Sequence, residues 1–170
     1  METTKLFVYG AGGHGKVVAD IAECCGFEVA GFIDDDPARG DLSFAEYCAD
    51  HSGTPVALGL GGNRARAKIY GQLKQAKAPI PALIHPESVI ARSARIGEGA
   101  VVMAGAVINP DALIERGAII NTACVIEHDN VIGEFAHISP KAALAGDVCV
   151  DSRSACPAES TVNRDKLLAP

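Results

Sequence analysis

The chain has 170 residues and a formal net charge of −6 at pH 7, with 48% hydrophobic and 21% charged residues. This length allows one domain or two small ones with buried cores. The acidic balance, without any lysine- or arginine-rich run, argues against a nucleic-acid partner. Because the longest apolar runs fall well short of the roughly 20 residues of a membrane span, and the first of them is typical of a strand, the sequence predicts a cytoplasmic protein.

The cysteine pattern indicates reduced thiols and no metal site. None of the six cysteines forms a C-x-x-C pair, which is the spacing at which zinc ligands normally occur. In a chain without a secretory signal, such cysteines behave as small, mostly buried hydrophobic residues. We therefore expect neither disulfide bonds nor a bound metal.

The first half of the chain begins with a β-α-β pattern. An apolar run over 5–10 predicts a strand, 16–25 a helix, and 28–33 a second strand. The residues between the first two elements, Gly10–Gly15, satisfy G-x-G-x-x-G, and Asp34 follows at the distance typical of nucleotide-binding folds. Glycines at this point let backbone N–H groups approach a phosphate at the start of a helix.

Three further elements complete a small domain over residues 1–84. The pattern predicts a strand over 55–60, a helix over 64–77 and a last strand over 81–84. Such a unit is too short for both halves of a dinucleotide-binding fold, so it favours a nucleotide sugar over a nicotinamide cofactor, with a purely structural glycine turn as the alternative. Asp34 and Asp35 end a strand where a ligand crevice is expected, although a solvated acidic turn has the same pattern.

A strict six-residue period runs through the second half. Thirteen consecutive hexads from Ser88 to Asp165 each carry an apolar residue in one column, and small residues recur two positions earlier. The period suits neither an α-helix nor a plain strand, but it does suit a coil with flat sides. The apolar column consists of Ile90, Ile96, Val102, Ile108, Ile114, Ile120, Ile126, Ile132, Ile138, Leu144, Val150, Cys156 and Val162.

These motifs together resemble one bacterial family. The segments that carry the resemblance are Tyr9–Gly15, Phe32–Asp35, Gly61–Arg64, Leu83–Pro86 and Asn121–Asp129. They are similar to the nucleotide-sugar N-acetyltransferases of the UDP-N-acetylbacillosamine type and to related sialic acid O-acetyltransferases. The resemblance implies an α/β Rossmann-like N-terminal domain, then a left-handed parallel β-helix over 85–170, and a homotrimer with sites at the subunit interfaces. The implied reaction is acetyl-CoA-dependent N-acetylation of a UDP-linked 4-amino sugar, with acetyl-CoA as co-substrate.

The resemblance also implies a role for individual residues. His128 falls on the catalytic base, with Asp129 or Glu127 beside it to hold the ring. Asn121 lies near the substrate, and His137 and Gly146 fall on acetyl-CoA contacts. The expected nucleotide-sugar contacts are Gly12, Gly13, His14, Asp34 and Asp35.

The repeat phase independently predicts where His128 lies. It stands two positions after the inward Ile126, next to a coil corner, so its side chain is expected to project from the surface. A histidine with a pKa near 6.5 is largely neutral at pH 7 and can take a proton from an amine. Cys124 belongs to the small-residue column, which argues against a thiol nucleophile.

Two alternative functions remain open at this point. One is O-acetylation of a sialic acid or another sugar hydroxyl. The other is a non-catalytic, nucleotide-sugar-binding trimer, because relatives continue for several more hexads beyond those present here, and those hexads complete the acetyl-CoA groove. The sequence therefore predicts a shortened β-helix as well as a transferase.

Overall fold

The computed structural model describes residues 3–163, in which an α/β unit is followed by a parallel β-solenoid. This arrangement confirms the predicted fold class. The end of the thirteenth hexad, Arg164 and Asp165, lies outside the described residues, as do the start of the first predicted domain at residue 1 and the end of the second at residue 170. No helix within 3–163 has the length and apolar character needed to cross a membrane, and the cytoplasmic location stays a prediction.

The α/β unit has three parallel strands in the order β2-β1-β3. The second predicted strand has the bounds that the sequence indicated, while a short helix, α2, was not predicted. Its signal was present, because Ser43 and Glu46 form a capping box at its start. The elements are β1 (Lys5–Tyr9), α1 (Gly13–Cys24), β2 (Glu28–Ile33), α2 (Phe44–Asp50), β3 (Val56–Leu58) and α3 (Asn63–Gln75).

The glycine-rich segment is where the backbone of α1 crosses the sheet most closely. A Cβ atom on Gly15 would lie 1.8 Å from the carbonyl oxygen of Gly10, and one on Gly59 would lie 2.9 Å from the Cα atom of Gly15. No side chain fits between backbones at such distances. The third glycine of the motif is therefore required by packing, whether or not a ligand is bound.

Up to residue 163, where the described part of the chain ends, the solenoid has fourteen two-residue strands arranged in three parallel sheets. The apolar column fills its interior, and from Val102 to Val162 every member is at most 1% exposed. The first sheet contains β4 (Leu83–Ile84), β7 (Val101–Val102), β10 (Ile119–Ile120), β13 (His137–Ile138) and β16 (Ala155–Cys156). The second contains β5 (Val89–Ile90), β8 (Val107–Ile108), β11 (Val125–Ile126), β14 (Ala143–Leu144) and β17 (Thr161–Val162). The third contains β6 (Arg95–Ile96), β9 (Leu113–Ile114), β12 (Val131–Ile132) and β15 (Cys149–Val150).

From Gly99 onward, the corners of the solenoid turn through residues with positive φ. These residues recur every six positions from Gly99 to Glu159, and most of them are not glycine. A left-handed conformation costs an ordinary L-residue roughly 1–2 kcal/mol, so stacking of the coils must stabilise each corner. The non-glycine corners are Asp111, Ala123, Asp129, Phe135, Lys141, Asp147, Arg153 and Glu159.

The α/β unit packs on the outer face of the first solenoid sheet. Leu83, Val101 and Ile119 stand in register on that face and share a buried cluster with Val8 of β1 and Val18 of α1. The prediction that residues 81–84 add a strand to the α/β sheet is wrong, because β4 pairs with β7 of the solenoid. The division of the chain at residue 84 stays a prediction.

Candidate active site

His128 occupies the solenoid corner that follows β11, with Asp129 beside it. The Nδ1 atom of His128 lies 2.7 Å from the Oδ2 atom of Asp129, and their side chains are 61% and 57% exposed. This hydrogen bond raises the pKa of His128 above its ordinary value of 6.5, and the charges of Asp129, Glu127 and Asp147 add to the effect. Of the two acidic neighbours that the sequence offered, Asp129 is the one bonded to the ring.

The position of the His128 ring depends on Gly146 in the next coil. A Cβ atom at position 146 would lie 2.6 Å from both Cε1 and Nε2 of the ring. The imidazole therefore lies against Gly146, where a side chain would collide with it, and its Nδ1 atom faces Asp129. Since Nδ1–H donates to the carboxylate when the ring is neutral, Nε2 keeps a free lone pair.

A buried amide, Asn130, holds this corner from inside. It is fully buried in the small-residue column, where most hexads have alanine or cysteine. Its Nδ2 atom donates to the carbonyl of Glu127 at 2.8 Å, and its Oδ1 atom accepts from the backbone N–H of Val148. Sequence reasoning assigned it no role, although a polar residue in an apolar column was a visible signal.

A second cluster lies where the α/β unit meets the solenoid, and it contains His137 and Asn121. His137 continues the outward ladder of Ile119 on the first sheet. The Oδ1 atom of Asn121 accepts from the backbone N–H of Thr122 at 2.8 Å, which orients its amide so that Nδ2 donates to Nε2 of His137 at 3.0 Å. The His137 ring thus carries its proton on Nδ1, on the side of the Gly61 backbone.

His14 belongs to the same junction cluster. Its ring centroid is 6.4 Å from that of His137. Burial, then the neighbouring His137 and Arg66, lower the pKa of His14 to about 4. Its Nε2 atom is buried and has no hydrogen-bond partner among residues 3–163. An unsatisfied buried nitrogen costs roughly 1–3 kcal/mol, so a ligand donor or acceptor at this atom would be favourable.

Arg66, on the first turn of α3, joins the two units and was not singled out from the sequence. Its side chain is fully buried, and its Nε atom donates to the carbonyl of Gly117 at 2.7 Å. Nη2 donates to the carbonyl of Phe135 at 2.7 Å. No sequence pattern separates this residue from the exposed arginine of an ordinary helix, so the signal exists only in the tertiary structure.

The other predicted nucleotide contacts lie around the N-terminus of α1, directly before His14 in the chain. Gly12 is the N-cap of α1, and a Cβ atom on Gly13 would meet nothing within 4 Å, so this turn is open to a ligand. Asp34 accepts from the backbone N–H of Ala11 at 3.1 Å and lies 3.7 Å from Nε of Arg39. One of the loop's N–H donors is therefore already bound to a carboxylate.

Asp35 links the end of β1 to the start of α2. It accepts from the Tyr9 hydroxyl and from the backbone N–H of Phe44, each at 3.1 Å. A cleft of about 210 Å³ beside it is lined by Asp34, Asp35, Asp41 and Glu46 among others. Four acidic side chains disfavour a phosphate inside this cleft but suit the hydroxyl and N–H donors of a ribose or a base.

The prediction of mostly buried cysteines is wrong, because Cys124 and Cys156 are buried, Cys25 and Cys48 are partly buried, and Cys24 and Cys149 are exposed. All six are free. Burial raises the pKa of Cys124 to about 11, so its thiol stays protonated and is a poor nucleophile. Within residues 3–163, no three His, Cys, Asp or Glu side chains are grouped as metal ligands would be.

Sequence comparison identifies similar proteins for both halves of the chain. Residues 5–73 match the family model of the PglD N-terminal domain. UDP-N-acetylbacillosamine N-acetyltransferase from Bacillus subtilis (strain 168) is 35% identical over 111 residues, which are 57% of this chain and 50% of that protein. The chain thus spans about half the length of this curated relative.

Solved structures are similar over nearly the whole chain. The acetyltransferase domain of PglB from Neisseria gonorrhoeae FA1090, in complex with acetyl coenzyme A, is 32% identical with a TM-score of 0.80, covering 95% of this chain and 86% of that chain. PerB from Caulobacter crescentus, in complex with CoA and GDP-perosamine, is 27% identical with a TM-score of 0.74, covering 93% and 91% respectively.

Proposed function

The chain belongs to the hexapeptide-repeat family of bacterial nucleotide-sugar acetyltransferases, and on that premise we propose that it transfers the acetyl group of acetyl-CoA to the amino group of a UDP-linked 4-amino sugar. The observation that carries the proposal is the exposed corner at which Asp129 orients the His128 ring over Gly146. A histidine held in one tautomer, with a free Nε2 lone pair on an open surface, is suited to act as a general base.

The reaction is direct attack without a covalent enzyme intermediate. The sugar amine nitrogen attacks the thioester carbonyl carbon, and His128 Nε2 takes a proton from that nitrogen as the N–C bond forms. The tetrahedral intermediate then expels the CoA sulfur, which leaves as the thiol after receiving the proton. Asp129 stabilises the imidazolium formed in between, because its carboxylate accepts from Nδ1–H.

The nucleotide sugar is proposed to bind along the N-terminal turn of α1. A Cβ atom on Gly13 would meet nothing within 4 Å, so the diphosphate is proposed to approach the first N–H groups of α1 at this turn. Asp34 and Asp35 line the acidic cleft that accepts donors from the ribose or base. His14 points its unpartnered Nε2 atom into the junction, where a sugar hydroxyl would satisfy it. Asn121 lies on the solenoid side of the same junction and is proposed to contact the sugar.

Acetyl-CoA is proposed to contact His137 and Gly146. Both nitrogens of the His137 ring already have partners, in the Asn121 amide and the Gly61 backbone, so the proposed contact is packing of the acyl donor against a ring that burial and Arg66 keep neutral. Gly146 keeps the surface beside the base flat enough for a thioester to approach Nε2 of His128.

A homotrimer is proposed from the outer face of the second solenoid sheet. Val89, Val107, Val125 and Ala143 stand in register on this face, directly before the corner of His128, and Val89 is 64% exposed. An apolar ladder beside a polar site is typical of a subunit interface. Sedimentation velocity should therefore give a trimer, and a Val107→Lys variant should shift the chain toward monomer.

Release of the CoA thiol, followed with a panel of acceptors, tests the reaction. UDP-linked 4-amino sugars should give turnover, whereas a GDP-linked amino sugar should react more slowly and a sialic acid should not react. Turnover with hydroxyl acceptors alone would replace the proposal with O-acetylation. A chain that binds the UDP-sugar calorimetrically but releases no thiol with any acceptor would leave only the non-catalytic alternative.

Replacing the base distinguishes binding from chemistry. His128→Ala should lower kcat by about 10²–10⁴-fold while the affinity for the UDP-sugar, measured by calorimetry, stays near that of the wild type. His85→Ala is the matched control, because that histidine is half-buried in the first coil and its Nδ1 atom accepts from the backbone N–H of Glu87 at 3.1 Å. If His128→Ala and His85→Ala turn over equally fast, His128 is not the base.

A further inference from the structure

We infer that Arg66 is a positioning residue of the proposed acetyl-transfer site: its guanidinium holds the two backbone segments that bracket His137 and keeps a second positive charge out of the junction. The role of Arg66 in acetyl transfer rests on the proposed function. Its effect on the position and charge of His137 does not, because both can be measured without turnover. Nothing in the family resemblance assigned a role to this residue.

The first observation is the set of groups that Arg66 binds. Every hydrogen-bond acceptor that its guanidinium contacts is neutral, so the charge is buried without a carboxylate in this network. Burial lowers the pKa of Arg66 to about 10, and the group therefore stays charged at pH 7. The acceptors are the carbonyls of Leu60, Gly61, Gly117, Phe135 and Ala136 and the Oδ1 atom of Asn63.

The second observation is where two of these acceptors lie. The Gly61 carbonyl, 3.0 Å from Nη1, belongs to the loop before α3, and the Gly61 backbone also hydrogen-bonds the His137 ring. The Ala136 carbonyl, 3.3 Å from Nη2, belongs to the residue directly before His137. Arg66 thus bonds to the backbone on both sides of one imidazole. Asn63, which Arg66 also contacts, donates to the carbonyl of Ser154 in the next coil at 3.0 Å.

The third observation is electrostatic. The charged or titratable groups that act on His137 and His14 are Arg66 and the two imidazoles themselves, and burial is the largest cause of the lowered pKa of each. Arg66 adds to that lowering at both rings because a nearby cation disfavours a second one. The opposite holds at His128, whose pKa is raised by Asp129.

The surroundings of His128 and His137 shift their pKa values in opposite directions, and this suits them to different roles. Opposite shifts of neighbouring titratable groups separate a proton acceptor from groups that stay neutral. His128 is set to take a proton near neutral pH, and His137 is set to remain an uncharged hydrogen-bonding group. Arg66 adds to this difference between His137 and His128, which burial of His137 and the Asp129 bond to His128 mainly cause.

Titration of the histidine rings by heteronuclear NMR on the full chain tests this inference. In the wild type, His137 should keep its proton on Nδ1 and titrate below the ordinary value of 6.5. In Arg66→Met the titration midpoints of His137 and His14 should rise, while that of His128 should not change. A wild-type His137 that titrates at or above 6.5 would overturn the inference without any variant being needed.

Two variants separate the charge of Arg66 from its packing. Arg66→Lys retains the charge but loses part of the hydrogen-bond network, so the midpoints should stay near those of the wild type while the KM for acetyl-CoA rises by about tenfold. If the midpoints rise in Arg66→Lys as much as in Arg66→Met, water entry is the cause and the inference fails. If Arg66→Met does not fold, the midpoints of His137 and His14 in Arg66→Lys are compared with those of the wild type alone, and a rise in the lysine variant overturns the inference.

Arg116→Met is the matched control at the same junction. Arg116 lies over the ring of Tyr70 at 5.8 Å and pairs with Glu134, but it does not act on either histidine. Its loss should leave both midpoints unchanged, and an equal rise there would refute a specific role for Arg66. Shifted midpoints in a chain that transfers no acetyl group would support the Arg66 inference while refuting the proposed function.

Discussion

In the solenoid each buried side chain stacks on its equivalent in the neighbouring coil, as Ile126 does on Ile108 and Leu144. In the α/β unit the closest contacts instead join residues that are far apart in the chain and do not belong to a repeat, such as Gly15 and Gly59. The solenoid repeats one contact many times, whereas the α/β unit depends on a few contacts that occur once. The difference teaches that the same substitution should have very different costs in the two regions.

The largest expected effect is that of an alanine at the helix crossing. Gly15→Ala should destabilise the α/β unit by more than about 4 kcal/mol, because its Cβ atom would overlap the Gly10 carbonyl and neither backbone can move far. Gly105→Ala in the solenoid should cost only about 1 kcal/mol, since the new Cβ atom has room and only the positive φ is unfavourable. Chemical denaturation followed by circular dichroism measures both, and equal losses would contradict the comparison.

The next largest effect is on catalysis. Gly146→Ala should displace the His128 ring, because a Cβ atom there would lie 2.6 Å from it. A misplacement of about 1 Å can cost about 100-fold in rate, so kcat should fall by about that factor while thermal stability changes little. Gly71→Ala, in open space on α3, is the control and should leave kcat unchanged. Wild-type kcat in Gly146→Ala would show that the ring position does not matter.

A smaller effect is expected inside the corner. Asn130→Ala should lower the free energy of unfolding by about 1–3 kcal/mol, because the carbonyl of Glu127 and the N–H of Val148 lose their partner in a buried place. Cys124→Ala in the same column loses only a weak thiol donor to the carbonyl of Ser139 and should cost less. If Asn130→Ala proves the more stable of the two in urea denaturation, the hydrogen bonds of Asn130 do not stabilise the corner.

The smallest effect is a shift in pH dependence. Because Asp129 raises the pKa of His128, and only the neutral ring accepts a proton, wild-type kcat should rise with pH through a midpoint above 6.5. Asp129→Asn should move that midpoint to lower pH, so that the variant keeps more of its own maximal rate at pH 6. A kcat profile measured from pH 5 to 9 decides the point, and a shift toward higher pH would contradict the assignment.

The periodic half was predicted closely because its signal is local and repeated. The apolar column from Ile90 to Val162 needs only the order of residues, and stacking follows from it. The corner position of His128 follows from the same phase. The strand at Leu83–Ile84 was assigned to the wrong sheet, because a short apolar run carries no information about which partner it will pair with.

The α/β unit was predicted in outline, and its contacts with the solenoid were not predicted. The capping box of Ser43 and Glu46 marked α2 in the sequence. By contrast, nothing local marks Arg66 as buried, because its acceptors come from Gly117 and Phe135 of other coils. Such a group is recognised only when the distant segments have been brought together.

By itself, the sequence determined the solenoid, its inward column and the outward corner of His128, because a strict period dictates which side chains share one interior. Only the tertiary structure decided that Asp129 holds the ring, that Gly146 makes room for it, and that Arg66 bonds to the backbone on both sides of His137. Some of these contacts join different coils. In the other case, Asp129 and Glu127 both flank His128, and the sequence does not distinguish between them. The energies of these contacts depend on distance and burial, and a one-dimensional pattern contains neither.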